Sequence, residues 1–325
     1  MQFSQIIFKK AESRPYTYPL VKTLIFLFLA AYAAHFLSDK PYWSARFVND
    51  LLEAVLAHPV KAALILLLLP LNWGLEALKW RTMVKRFHPL GYMEAFKGIL
   101  TGVAMGFATP HGLGDYFGRI LHLPYRERSR LVGAVFATRI AQLAVTILTG
   151  GAALLYFIVG HTGFTTRAAA LSIAVVLTPI LTGALFMSYR VSRKAGLGHW
   201  LDRYFGRLSE YSSGEYARLA FFSFLRYAVF TLQFTLLIRL YDIPGFWLTQ
   251  LVGVNLIFLA KSIVPTLFDL GVREYAAWFF FAALGLENQH VVQASIVLWL
   301  VNVLSPSLIG MFLVFSIRLR TSKDL

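Results

Sequence analysis

The chain has 325 residues, 58% of them hydrophobic and only 14% charged, with 31 Lys+Arg against 16 Asp+Glu and a net charge of +15. Soluble domains are about a quarter charged, so this composition excludes an ordinary water-soluble globule. The basic excess lies in short connections, which excludes a folded nucleic-acid-binding face, and the absence of cysteine removes disulfides, thiol nucleophiles and cysteine metal sites.

A bilayer core of about 30 Å takes roughly 20 apolar residues to cross, and six stretches are expected to cross it: 20–37, 60–78, 131–160, 168–188, 219–240 and 291–317. The first follows a basic leader (Lys9, Lys10, Arg14), and Ala31-Tyr32-Ala33 loosely imitates a cleavage site. The long leader and the many later spans predict an uncleaved first helix behind a cytoplasmic leader, residues 1–19. The second span ends in Glu76, Lys79, Arg81 and Lys85, read as an interfacial collar facing anionic lipid.

Next comes 93–110, too short for a span and ending at Pro110, followed by His111-Gly112-Leu113-Gly114-Asp115-Tyr116-Phe117-Gly118-Arg119. The connections before it (Lys79, Arg81, Lys85, Arg86) and after it (Arg126, Arg128, Arg130) are both basic, so both ends fall on the cytoplasmic side by the positive-inside rule. A re-entrant hairpin over 93–121 satisfies this, with a helix in, a break at 110–114 and a short helix out. Non-helical backbone at that depth is tolerated only where protein or a water-filled cavity covers it. Asp115 and Arg119 stand four apart, the spacing of an intrahelical ion pair, and Asp115 in a first turn suits the helix dipole. The other reading of Asp115 is a pathway or coupling-proton site, since ionisable groups at membrane depth mark such places.

In the span 131–160, Arg139 and Gln142 share one helical face. They form either a polar stripe between helices or a cavity wall facing the break, and the depth of Arg139 favours the wall. Pro179 and Pro306 read as kinks in later spans. The segment 247–265 begins and its continuation to 286 ends at base-poor connections, so a second hairpin, 247–286, is expected to open to the opposite face. Its break is VPTLFDLGVREY, residues 264–275, with Pro265 and Gly271 as helix breakers, Lys261 just before, and Arg273 and Glu274 in the new first turn. Two opposed broken helices are the arrangement of secondary transporters, whose half-helix N-termini face anionic substrate groups.

The candidate substrate-binding set is therefore Gly112, Gly114, Asp115, Arg119, Arg139, Gln142, Lys261, Gly271, Arg273 and Glu274. The eight histidines form no HxxH or HExxH pair, so no metal or cofactor is expected. Nor is there a GxxxxGK[ST], DDxxD or GxSxG motif, so no catalytic residue and no enzyme is expected.

These same residues resemble the lysylphosphatidylglycerol synthase transmembrane region, a flippase-like membrane family. The likeness is carried by Pro110…Gly114-Asp115…Arg119 and by Pro265…Leu270-Gly271-Val272-Arg273-Glu274. Asp115 stands where the family usually has glutamate, and Phe268-Asp269 where a glycine pair is common. The resemblance implies the lipid-translocating half alone. No soluble aminoacyl-transferase domain is expected after the last span, and lysyl transfer is not predicted.

The expected protein is a single transmembrane domain, 1–325: an all-α polytopic membrane protein of about six full spans plus two opposed re-entrant broken-helix hairpins, with a cytoplasmic tail at 318–325. It is placed in a bacterial cytoplasmic (inner) membrane with both termini inside. The expected function is lipid translocation, with an anionic or zwitterionic phospholipid headgroup as partner and no nucleic acid. A non-transporting protein that binds lipid or a partner membrane enzyme and regulates envelope assembly is the alternative. Either admits a homo-oligomer.

Overall fold

The computed structural model describes residues 45–107, 109, 112–121, 123–161, 206–263, 271–286 and 289–316. The chain divides into two compact units, Met1–Leu52 and Glu53–Leu325. Of the first, only 45–52 are described, as the start of helix α1 (Ala45–Ala57), and everything below concerns the second. The leader 1–19, the expected spans 20–37 and 168–188, the kink at Pro179, the second break at 264–270 and the tail 318–325 lie outside the described residues.

Every regular element described is helical. Helix α2 (Pro59–Val84) starts with proline at its first positions, where a missing N–H costs nothing, and carries a second proline inside, Pro70. Beside that break the Ile65 carbonyl accepts a hydrogen bond from Gln233 Nε2 at 2.7 Å. Helices α3 (Tyr92–Phe107) and α4 (Gly114–Ile120) form the first hairpin. At seven residues, α4 is only about 10 Å long. The two arms touch at glycine: a Cβ on Gly118 would overlap the backbone of Thr101 and Gly102, and Thr101 Oγ1 donates to the Gly118 carbonyl at 3.0 Å. Gly112 turns the chain between the arms with φ +63°.

Helix α5 (Tyr125–His161) is followed after the undescribed segment by a 3₁₀ turn (Gly206–Glu210) and α6 (Ser213–Leu240). Helix α6 begins six residues before its apolar run because a capping box fixes it there. Ser212 Oγ accepts the Glu215 N–H, and Glu215 Oε2 accepts the Ser212 N–H at 2.7 Å. The second hairpin pairs α7 (Trp247–Ile263) with α8 (Val272–Ala283), which Gly271 enters at φ +94°. The last run is α9 (Gln289–Trp299), a π-helical turn (Leu300–Leu304) and α10 (Ser305–Ser316). Pro306 accounts for that widening, since it has no N–H for the Asn302 carbonyl four residues back.

Among the described residues, four helical runs are long and apolar enough to cross a membrane: Pro59–Val84, Leu131–Val159, Ser213–Leu240 and Gln289–Val314. They coincide with four of the six expected spans. Helix α6 packs along α2 and α5, α10 along α3, and α7 along α5. Trp80, Met83, Ile99, Ile120, Leu131 and Leu219 join α2 through α6 in one buried core. That core holds the first hairpin rigidly against α2 and α5.

Candidate functional site

Helices α2, α4, α5 and α6 each send a charged side chain to one point. Glu76 of α2 is 3% exposed and is met by three cations: Arg119 Nη1 at 2.6 Å, Lys79 Nζ at 2.7 Å and Arg226 Nε at 3.4 Å. Asp115 of α4, also 3% exposed, accepts Arg119 Nε at 2.7 Å on one oxygen and Arg139 Nη2 at 2.8 Å on the other. Arg119 therefore bridges the two carboxylates. Gln142 Oε1 accepts from Lys79 Nζ (3.2 Å) and Arg226 Nη1 (3.3 Å), while its amide donates to the Ser223 carbonyl. Arg139 lies over the Tyr116 ring and Arg226 over the Trp73 ring, each at 5.2 Å.

This network lines a cavity of about 540 Å³. Lys261 and Ser262, at the end of α7, contribute to its wall, so residues from both hairpins meet there. Among the described residues the lining holds five cations (Lys79, Arg119, Arg139, Arg226, Lys261) and two carboxylates. Leu113 and Leu143 also line it and are 58% and 37% exposed, so an apolar rim adjoins a cationic interior.

The interfacial collar is corrected here. Lys79 is 1% exposed, as is Trp80, and Glu76 and Lys79 belong to the buried network. They lie on the face of α2 turned toward α4 and α6, where an unpaired charge would be costly and each finds an opposite one. Arg81 keeps an edge position, donating to the Leu90 carbonyl, and Lys85 is exposed.

Of the residues proposed from sequence, Gly112, Asp115, Arg119, Arg139, Gln142 and Lys261 line the cavity. Gly112 takes part through its backbone, its carbonyl accepting Arg139 Nη2 at 2.9 Å. Gly114 serves the fold: its N–H donates to Thr109 Oγ1 at 2.7 Å, and a Cβ there would overlap the Met105 carbonyl. The α4 N-terminus is thus partly satisfied by its own chain, and the cationic character of the cavity comes from side chains.

Arg273 and Glu274 form a second, separate cluster with Ser295 of α9 and are not in this cavity's lining. Arg273 Nη2 donates to Glu274 Oε1 at 2.7 Å, Arg273 Nε donates to Ser295 Oγ at 2.8 Å, and Glu274 Oε2 accepts the Gly271 N–H at 2.7 Å. The carboxylate closes the turn into α8 while the guanidinium ties α8 to α9.

Sequence reasoning missed Arg226, although an arginine seven residues inside the apolar run 219–240, well away from the end that Arg239 marks, was the signal. It also missed a buried amide triad, in which Asn72 Nδ2 donates to Asn302 Oδ1 (3.1 Å) and Asn302 Nδ2 donates to Gln233 Oε1 (2.7 Å). Each of these was an amide inside an expected span, the type that joins helices in lipid.

A family model described as the lysylphosphatidylglycerol synthase TM region matches residues 20–310. The chain belongs to this family. The match includes both hairpins and the whole cavity, so the resemblance carried by the two glycine-acid motifs holds across the chain. The family is a membrane region of lipid-related proteins, and with four helical runs of spanning length among the described residues the chain is an integral membrane protein. No curated protein matches the chain.

Proposed function

We propose that the protein is a flippase-like lipid translocase that takes an anionic or zwitterionic lipid headgroup into the cavity and helps it cross the bilayer. The observation that carries this reading is the cavity's cationic lining beside exposed Leu113 and Leu143. An amphiphile needs both: cations for the headgroup phosphate and an apolar edge along which the tails stay in lipid. The two hairpins act as opposed re-entrant elements, α3/α4 entering from the cytoplasmic side and α7/α8 from the other. Arg139, Gln142 and Lys261 contact the headgroup, while Asp115 and Arg119 hold the contacting cations in place. Arg273, Glu274 and Gly271 fix the second hairpin. No covalent chemistry on the lipid is part of the reading.

The test is headgroup transport in liposomes reconstituted with the full chain. Neutralising Arg139, Arg226 or Lys261 is expected to abolish transport with the protein still folded. Unchanged transport in all three variants overturns the site, and lipid binding without transport in the wild type favours a non-transporting regulator. The chain has no cysteine, so single cysteines at Leu113 and Tyr275 test the topology. Labelling of both from the same face of the membrane refutes the opposed hairpins.

A further inference from the structure

Where lipid tails would lie while a headgroup occupies the cavity follows from how α4 and α5 meet. At one end of their contact the packing is apolar: Ile120 and Leu123 join Leu131 and Val135 in the buried core. Toward the hairpin turn the contact becomes polar. There Arg139 of α5 reaches across to the Gly112 carbonyl at 2.9 Å and to Asp115 Oδ2 at 2.8 Å, and lies over the Tyr116 ring. Hydrogen bonds of this kind can be exchanged for those of an entering phosphate, whereas packed apolar side chains have to be separated first.

Exposure locates the opening at that polar end. Of the four cations that pair with Glu76 and Asp115, Arg139 has a side chain 33% exposed, against 19% for Arg226, 6% for Arg119 and 1% for Lys79. The site thus deepens from Arg139 toward Lys79. The exposed apolar residues of the lining flank Arg139: Leu113 follows Gly112, and Leu143 lies one turn beyond Arg139 on α5. Phe117, one turn along α4 from Leu113, is exposed on the same face. Arg139 stands eight residues past Leu131, the start of its span, or about 12 Å at 1.5 Å per residue. That depth is well inside a hydrocarbon layer of about 30 Å, so an apolar-edged opening there faces lipid tails rather than water.

Resting on the lipid-translocase reading, we propose that the seam between α4 and α5 is the lateral opening of the cavity, through which a phospholipid held by its headgroup at Arg139 projects its acyl tails against Leu113, Phe117 and Leu143.

The native chain has no cysteine, so Leu113→Cys combined with Leu143→Cys puts one thiol on each edge of the seam. The full-length double variant is reconstituted in liposomes containing phosphatidylglycerol and treated with a reducible bifunctional thiol reagent. Joining the two thiols is expected to bring phosphatidylglycerol transport down to the protein-free rate, and reduction to restore it, which shows that the fold survived. In calorimetry of the unjoined protein in detergent, short-chain phosphatidylglycerol is expected to bind at least about tenfold more tightly than glycerol phosphate, the effect of burying about two methylene groups. Transport that continues unchanged in the joined protein overturns the lateral opening and leaves the translocase reading intact. Thiols that the reagent does not join lie on separate surfaces, which overturns it equally. Glycerol phosphate binding as tightly as the lipid overturns the seat for the tails. An unjoined protein that neither binds nor transports phosphatidylglycerol overturns the translocase reading itself.

Discussion

Replacing Glu76 with glutamine tests whether the buried network has been described correctly. Glu76 compensates three cations lying between 2.6 and 3.4 Å away, and it is 3% exposed. Glutamine keeps the shape and removes the charge, leaving Lys79, Arg119 and Arg226 close together. Breaking a buried ion pair costs about 3–5 kcal/mol, whereas an exposed interfacial pair contributes at most about 1 kcal/mol. The structure therefore predicts a loss near the larger figure, read as a marked drop in the thermal midpoint of the detergent-solubilised full chain. Removing one of the stranded cations should recover part of it, so Glu76→Gln combined with Lys79→Met is expected to lose at least about 1 kcal/mol less than the two single losses added together. An E76Q protein within about 1 kcal/mol of wild type, or strict additivity in the double variant, would refute the network and return Glu76 to the membrane surface.

Gly102→Ala puts a Cβ against Asp115 Oδ1 and Arg119 Cγ. It is expected to cost about 1–3 kcal/mol by overpacking and to stop transport by splitting the pair, and a fully active G102A in the liposome assay refutes the hairpin contact. Asn302→Ala strips partners from both Asn72 and Gln233; a loss of about 1–3 kcal/mol in thermal or denaturant unfolding is expected for the stranded amides, and no loss means water or slack already satisfies them. Asp242, beyond the end of α6, is held below the ordinary aspartate value chiefly by its hydrogen bond with His58, 2.7 Å away. Its folded pKa is depressed, so its contribution is present above the unfolded value of about 3.9 and fades as pH falls through the lower folded value. The melting gap between wild type and Asp242→Asn should close on that acid side, and a gap that widens with acid contradicts the assignment.

The sequence by itself determined what depends on local pattern. Apolar runs of bilayer length set four of the described helices, because only a helix satisfies its own backbone in lipid. Glycine set the turns into α4 and α8, with positive φ at Gly112 and Gly271, and the i, i+4 spacing of Asp115 and Arg119 set their ion pair. Basic connections flagged the first break as unusual before any contact was known. The helix start at Ser213 was also legible in Ser212 and Glu215, the capping signature that the apolar run alone passed over.

Only the tertiary structure decided which charges face one another. Glu76 and Arg119 are 43 residues apart, and Arg226 is far from both along the chain. Periodicity gives each residue a face on its own helix, and says nothing of which helix lies opposite. That is why Glu76 and Lys79 read as a surface collar: four charges at a span end look alike in sequence whether they meet water or one another. It is also why the likeness of Arg273 and Glu274 to Asp115 and Arg119 does not say which neighbours each pair meets. Packing of α8 on α9 gives them Ser295 as their neighbour, while packing of α2, α4, α5 and α6 builds the cationic cavity.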